Sequence, residues 1–278
     1  MASIKPLAWP RIAWLPLAAL VFAALIAPWL APQNPYDLVT LDLLDARLPP
    51  GSHAGTGTLT YLLGSDEQGR DMLSAILYGL RISLVVGLAG SGGGALLGVP
   101  LGLIAAQVGG RIDGLIMRIA DLQLSFPALL LALVLLALLG PGLGKVVLAL
   151  IAVQWAYFAR STRATALVEL GKDYITAARG LGLNPLRISL RHILPNCLPP
   201  LLTLLPLQIA AAINLEATLS FLGLGAPVTE PSLGLLMANG FQYLLAGQYW
   251  ISIYPGIALL GTIMGIHIAT GRRGAEYT

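Results

Sequence analysis

Residues 84–107 read LVVGLAGSGGGALLGVPLGLIAAQ, an apolar stretch without a single charged residue. Crossing the hydrocarbon core of a bilayer takes about 20 helical residues, since the core is about 30 Å thick and each residue adds about 1.5 Å. The stretch therefore predicts a transmembrane helix. Gly90, Gly94, Gly98 and Gly102 recur about one turn apart and share one face. Because close contact along small residues drives helix association in lipid, we expect another helix to pack on that face.

The whole chain has the composition of a membrane protein. Of its 278 residues, 56% are hydrophobic and 10% are charged, against about 25% charged in a typical soluble domain. Five more apolar stretches predict further spans, at about 12–31, 122–139, 146–158, 201–222 and 251–269. The first lacks an A-x-A cleavage pattern and is longer than the apolar part of a signal peptide, which favours a retained anchor. The predicted fold class is an all-α polytopic membrane protein with six transmembrane helices.

The distribution of basic residues predicts the orientation of these spans. Six spans place both termini on one side, and the loops then alternate between sides. The side of the termini holds Lys5, Arg11, Arg111, Arg118, Arg160, Arg163, Lys172, Arg179, Arg187, Arg191, Arg272 and Arg273. The opposite side holds Arg47, Arg70, Arg81 and Lys145. By the positive-inside rule both termini are expected in the cytoplasm, and the net charge of +3 is interpreted as a topology signal.

No group of residues predicts catalysis. The stretch GPGLGK at 140–145 resembles a phosphate-binding loop, but it lacks the first glycine and the closing Ser or Thr of that motif. We interpret it as the turn between the third and fourth spans. His53, His192 and His267 have no second ligand at helical spacing. We therefore expect no catalytic residue and no metal site.

The loop at about 159–199, between the fourth and fifth predicted spans, predicts two short helices. A first helix is predicted over about 169–179. Gly180 and Gly182 are expected to end it, because glycine accepts the left-handed conformation common just past a helix end. The loop is therefore expected to bend at these glycines.

Asn184 and Pro185 mark the start of the second helix, since Asn is a favoured N-cap and Pro suits the first helical position. It is predicted to end at about Leu194, where Pro195 stops it. Apolar residues alternate with Arg187, Arg191 and His192, so the helix is amphipathic. Two interpretations remain open: a helix lying on anionic lipid of the inner leaflet, and a docking element for a soluble partner.

Part of this loop resembles the EAA loop of ABC import permeases. The residues are Thr176-Ala177-Ala178, then Gly182, then Leu194-Pro195. Thr176 replaces the usual Glu of that motif, and His192 replaces the usual Ile. The stretches LGSDEQGRD at 63–71 and LSFLGLG at 219–225 resemble C-type permease subunits of dipeptide, oligopeptide and nickel importers.

The resemblance implies a type I ABC importer permease of the bacterial inner membrane. It implies an N-terminal anchor helix and periplasmic loop at 1–83, and a five-helix core at 84–278. The chain itself is expected to bind no cofactor, with ATP and Mg on the partner ATPases. Expected partners are a second homologous permease subunit, two cytoplasmic ATPases, an extracytoplasmic solute-binding protein and membrane lipid, without nucleic acid. The expected ATPase-coupling residues are Thr176, Ala177, Ala178, Arg179, Gly180, Gly182, Asn184, Pro185, Arg187, Leu194 and Pro195.

The function implied by the resemblance is that of a non-ATPase subunit forming half of the translocation path for dipeptides or oligopeptides. Nickel or glutathione is an alternative cargo, and a stand-alone secondary transporter is a further alternative. Glu216 lies within the fifth predicted span, where an ionised carboxylate costs about 2.5–3.5 kcal/mol. Two roles for it remain open: a pore or gate residue, and a hydrogen-bond partner of a neighbouring helix.

Overall fold

The computed structural model describes residues 15–37, 39, 41–55, 59–227 and 229–275. Lys5, Arg11 and the start of the first predicted span lie outside these residues. The chain divides into two compact units. The first unit combines Met1–Arg81 with Pro231–Thr278, and the second unit is Ile82–Glu230. The predicted organisation, with an anchor helix and periplasmic loop at 1–83 and a five-helix core at 84–278, stays a prediction.

The described residues are mainly helical. The helices are α1 Leu15–Leu25, α2 Ala27–Leu30, α3 Met72–Val108, α4 Gly110–Leu124, α5 Ala128–Leu139, α6 Leu143–Leu170, α7 Asp173–Gly180, α8 Pro185–Ile188, α9 Leu194–Phe221, α10 Leu233–Phe241 and α11 Trp250–Ala275. Two short strands, β1 Ser52–His53 and β2 Thr60–Tyr61, pair antiparallel with Ser52 opposite Tyr61.

Four described helices are long and apolar enough to cross a membrane. They are Met72–Val108, Leu143–Leu170, Pro185–Phe221 and Trp250–Thr270, and the bent pair α4–α5 raises the number to five if it counts as one span. The predicted count of six is therefore not reached within the described residues. Of the first predicted span, the structure describes α1, with 11 residues, and the four-residue α2.

The third predicted span is not a straight helix. α4 and α5 meet at an angle of 95° across residues 125–127. Pro127 is the N-cap of α5, with ψ of 130°. Because proline disfavours the helical conformation at the residue before it and offers no N–H, α4 does not run on into α5. Most of α4 was not predicted, because α4 is amphipathic and its charged residues interrupt the apolar pattern of a span. Among them, Asp113 forms a two-bond ion pair with Arg163 of α6, with its second bond at 2.6 Å.

Two predicted boundaries between the fourth and fifth spans were wrong. α6 continues past Phe158 to Leu170, with Gly171 as its C-cap; Ala159 and Ala166 are buried in this extension, and Arg163 is paired with Asp113. Pro195 does not stop a helix. The Leu194 N–H donates to the Ser189 carbonyl, five residues back, in a wide turn at 189–193. Pro195 then lies in the first turn of α9, where an N–H is not needed.

The first unit is stabilised by contacts between its N-terminal and C-terminal parts. Trp250, at the start of α11, donates its indole N–H to the Ser65 carbonyl over 3.1 Å. Arg70 is fully buried within the same 63–71 stretch, and its burial lowers its pKa while Asp66 and Glu67 oppose that shift. A Cβ at Gly240 of α10 would lie 2.6 Å from the backbone of α11. The Trp250–Ser65 bond joins residues from 231 onward to the N-terminal part, and the Tyr243 hydroxyl adds a second link by donating to the Glu67 carboxylate at 3.2 Å.

Candidate functional site

Four glycines of α3, namely Gly90, Gly94, Gly98 and Gly102, face α6 within the second unit. A Cβ would lie 2.7 Å from the Leu150 Cβ at Gly90, and 3.0 Å from the Gln154 Cβ at Gly94. At Gly98 and Gly102 it would overlap backbone carbonyl oxygens of α6. The two helices thus approach to a distance that only glycine permits on the α3 side.

The α7–α8 segment, residues 173–188, is a helix pair with a glycine bend. α7 ends at Gly180, and Gly182 has a φ of +76°, the left-handed conformation that glycine accepts most readily. The Asn184 side-chain oxygen accepts the Leu186 N–H at 2.9 Å, and Pro185 is the first residue of α8. The bend and the start of the second helix thus have the predicted local chemistry, although Gly180 itself is helical.

One face of the α7–α8 segment is exposed and combines small and basic residues with the exposed side chains of Leu181 and Leu186. The exposed members of the expected coupling set are Thr176, Ala177, Arg179, Gly180, Gly182, Asn184, Pro185, Arg187 and Pro195. Ala178 is 7% exposed, and Leu194, which follows the segment, is only partly exposed. Neither therefore belongs to the exposed face. At Gly180 and Gly182, which have open space around them, a partner can approach the backbone.

The opposite face of the segment is packed into the second unit. Ile175 of α7 and Ile188 of α8 belong to a buried apolar cluster that includes Phe158 of α6, Leu103 of α3 and Leu201 of α9. The segment therefore shares a buried apolar core with three long helices. Displacing it would move side chains packed against α3, α6 and α9.

A polar network, not predicted from the sequence, fixes the start of α7. Glu169, at the end of α6, accepts hydrogen bonds from the Lys172 ammonium at 2.6 Å and the Tyr174 hydroxyl at 2.7 Å. Asn196 of α9 donates to the Tyr174 oxygen at 3.2 Å. Burial, followed by the bond to Glu169, raises the pKa of Tyr174. The Glu–Lys spacing of three residues was the only sequence signal for this network.

Glu216 is fully buried in α9. Its carboxylate accepts hydrogen bonds from the Ser83 hydroxyl of α3 at 3.1 Å and from the Ser220 hydroxyl at 2.7 Å. The Ser220 oxygen in turn accepts the Ala226 N–H at 3.1 Å. In this geometry Glu216 is a hydrogen-bond partner of a neighbouring helix, one of the two roles that the sequence left open. It connects α9 to α3 and, through Ser220, to the chain that follows α9.

Comparison with known proteins identifies the family. Residues 98–270 match the family model of the binding-protein-dependent transport system inner membrane component. The chain is 39% identical over 249 residues to the di/tripeptide transport system permease protein DppC of Pseudomonas aeruginosa, covering 90% of this chain and 80% of that protein. It is 40% identical over 248 residues to the dipeptide transport system permease protein DppC of Escherichia coli K12, covering 89% and 81%.

A third relative is the putative peptide transport system permease protein BRA1093/BS1330_II1085 of Brucella suis, 41% identical over 261 residues, covering 93% of this chain and 83% of that protein. Among solved structures, the MetNI methionine ABC transporter in an inward-facing conformation matches with a TM-score of 0.60 and 20% identity. That match covers 74% of this chain and 98% of the other, and it shows the permease fold. The chain is a multi-pass membrane protein that belongs to the family of binding-protein-dependent transport system inner membrane components, the permease subunits of ABC importers.

Proposed function

We propose that this chain forms half of the translocation path of an ATP-driven importer of short peptides. Relatives that are named for peptide transport, at 39–41% identity over most of the chain, support the class of solute. The single observation that carries the mechanism is the α7–α8 segment, which is exposed on one face and on the other belongs to a buried apolar cluster shared with three long helices.

In this proposal, two partner ATPases hold ATP and Mg, and one of them contacts the exposed face of the α7–α8 segment. Gly182 lets the segment turn sharply, and the small residues allow close contact with the ATPase surface. When the ATPases close on ATP, movement of the segment is passed to the buried cluster and so to α3, α6 and α9. The Glu169–Tyr174–Asn196 network supports this role, because it connects the start of α7 to the last turn of α6 and the first turn of α9.

The proposed orientation places the α7–α8 segment and both termini in the cytoplasm. It follows from the positive-inside rule applied to the loops, and exposed Arg179 and Arg187 on the segment agree with it. The loop that contains the 63–71 stretch then faces the solute-binding protein on the other side of the membrane. A second, homologous permease subunit completes the path.

The first test is retention of partners by the tagged chain when it is purified from its own bacterium. We expect the second permease and both ATPases to copurify. The double variant Arg179→Glu, Arg187→Glu should lose most of the ATPases and keep the second permease, because the exposed charges lie on the docking face. Arg118→Glu, which reverses an exposed charge on α4, is the matched control and should keep both. Isolation of the unaltered chain without any ATPase would contradict the proposal.

A further inference from the structure

A cavity of about 320 Å³ opens in the second unit between α5, α6 and α9. Its polar lining consists of Gln154, Tyr157, Gln208, Asn214 and Thr218, and none of its lining residues is charged. Ligand pockets in proteins range from about 300 to 1,000 Å³, so this cavity lies at the lower end of that range. That volume fits a small polar solute and is too small for a long peptide.

Gln154 is the key residue of this cavity. Gln154 is only 3% exposed, and its side-chain N–H donates to the backbone carbonyl of Gln208 in α9 at 3.0 Å. Its amide oxygen is buried and has no hydrogen-bond partner among the described residues. A buried acceptor without a partner costs about 1–3 kcal/mol. α3 passes close to Gln154, since a Cβ added at Gly94 would lie 3.0 Å from the Gln154 Cβ.

The α9 side of the cavity offers further uncharged polar groups. Asn214 and Thr218 lie one turn apart, and Asn214 is exposed. The Thr218 hydroxyl donates to the Asn214 carbonyl at 2.8 Å, so its proton is used and its oxygen remains an acceptor. The lining thus presents amide and hydroxyl groups beside five apolar residues, Ala128, Leu129, Val153, Ala211 and Leu215, and an N–H or O–H donor would satisfy the buried acceptor of Gln154.

We infer that this cavity is a transient binding site for the solute in transit, where the Gln154 amide oxygen accepts a hydrogen bond from an N–H of a di- or tripeptide. The identity of the solute rests on the proposed function. An uncharged lining recognises the peptide backbone and does not select for side-chain charge. It also holds the solute weakly, and a transported solute must be able to leave its site.

The test uses cysteine protection in the complete importer in proteoliposomes. Cys197, the only cysteine and fully buried, is replaced by alanine, and Asn214→Cys is introduced. A small polar methanethiosulfonate reagent should label Asn214→Cys, and millimolar dialanine should slow the labelling severalfold. Labelling that dialanine does not slow would overturn the inference. So would labelling only by a lipid-soluble maleimide, because the cavity would then hold lipid.

The role of Gln154 is tested with Gln154→Leu in the same cysteine background. Loss of one hydrogen bond should weaken protection by dialanine up to about tenfold. Gln107→Leu makes the same change on α3 away from the cavity lining and should leave protection unaltered. Equal protection in both variants would overturn the role of Gln154. The failure of the proposed function is a separate result: the unaltered importer would then show no ATP-dependent uptake of dialanine at all.

Discussion

Gly182→Arg is expected to leave the chain in the membrane and to abolish the stimulation of its partner ATPases by loaded binding protein. Gly182 is exposed, and a Cβ there would meet no atom within 4 Å, so the substitution creates no internal overlap. A side chain at a φ of +76° costs about 1–2 kcal/mol, which is small against the stability of a folded chain. The arginine would, however, occupy the turn of the proposed docking face and separate it from the ATPase.

Gly110→Arg is the matched control for this prediction. Gly110 also has a positive φ, of +55°, is exposed and has open space at its Cβ. It lies at the turn between α3 and α4, on the side proposed to be cytoplasmic. The measurement is ATP hydrolysis by the purified complex with and without loaded binding protein. Normal stimulation in Gly182→Arg, or equal loss in both variants, would contradict docking at the α7–α8 segment.

Gly98→Val is expected to prevent α3 and α6 from packing. A Cβ at Gly98 would overlap the Trp155 carbonyl oxygen and lie 2.7 Å from the Phe158 Cβ. The Trp155 carbonyl is backbone, so it cannot move aside as a flexible side chain can. Overpacking costs about 1–3 kcal/mol in protein cores, and we expect the upper end of that range here. The amount of folded chain extracted from membranes should fall severalfold.

Gly92→Val provides the comparison on the same helix. A Cβ at Gly92 would meet nothing within 4 Å, so the same change should have little effect on packing. Both variants are compared by the amount of chain recovered as a single species after size exclusion and by its thermal unfolding. If Gly98→Val were as abundant and as heat-stable as Gly92→Val, the close approach of α3 to α6 would not stabilise the fold.

The long apolar helices could be predicted from the sequence, because a helix needs about 20 apolar residues to cross a bilayer. The prediction failed at α4 and at the end of α6, where Asp113 and Arg163 fell in predicted loops. Each charge is compensated by the other across two helices, and such pairing is a tertiary property that hydropathy does not register. Pro127 was placed inside the predicted span at 122–139. In the structure it lies at the 95° bend between α4 and α5.

The α7–α8 segment was predictable where local chemistry decides the backbone. The positive φ of Gly182 and the N-cap of Asn184 follow from residue type alone. The continuation of the chain through Pro195 was not predictable in this way, because a wide turn at 189–193 places the proline in the first turn of α9. Glu169 and its network depend on how three helices meet, which no short motif records.

Glu216 shows a second limit of prediction from the sequence. A carboxylate in an apolar span indicates a partner or water, but its identity depends on the fold. Ser83, which donates to it, lies 133 residues away on α3. The cavity beside Gln154 was missed for the same reason, since its lining comes from three helices and includes no charged residue.

The central claim is that this chain moves solute only when separate ATPases drive it. The most direct measurement is uptake of labelled dialanine into proteoliposomes that contain this chain, the second permease and both ATPases, with loaded binding protein on the proposed outer side. The account predicts uptake with ATP and none with ADP or without the ATPases. Uptake by vesicles that contain this chain alone, or by the full complex without nucleotide, would contradict it.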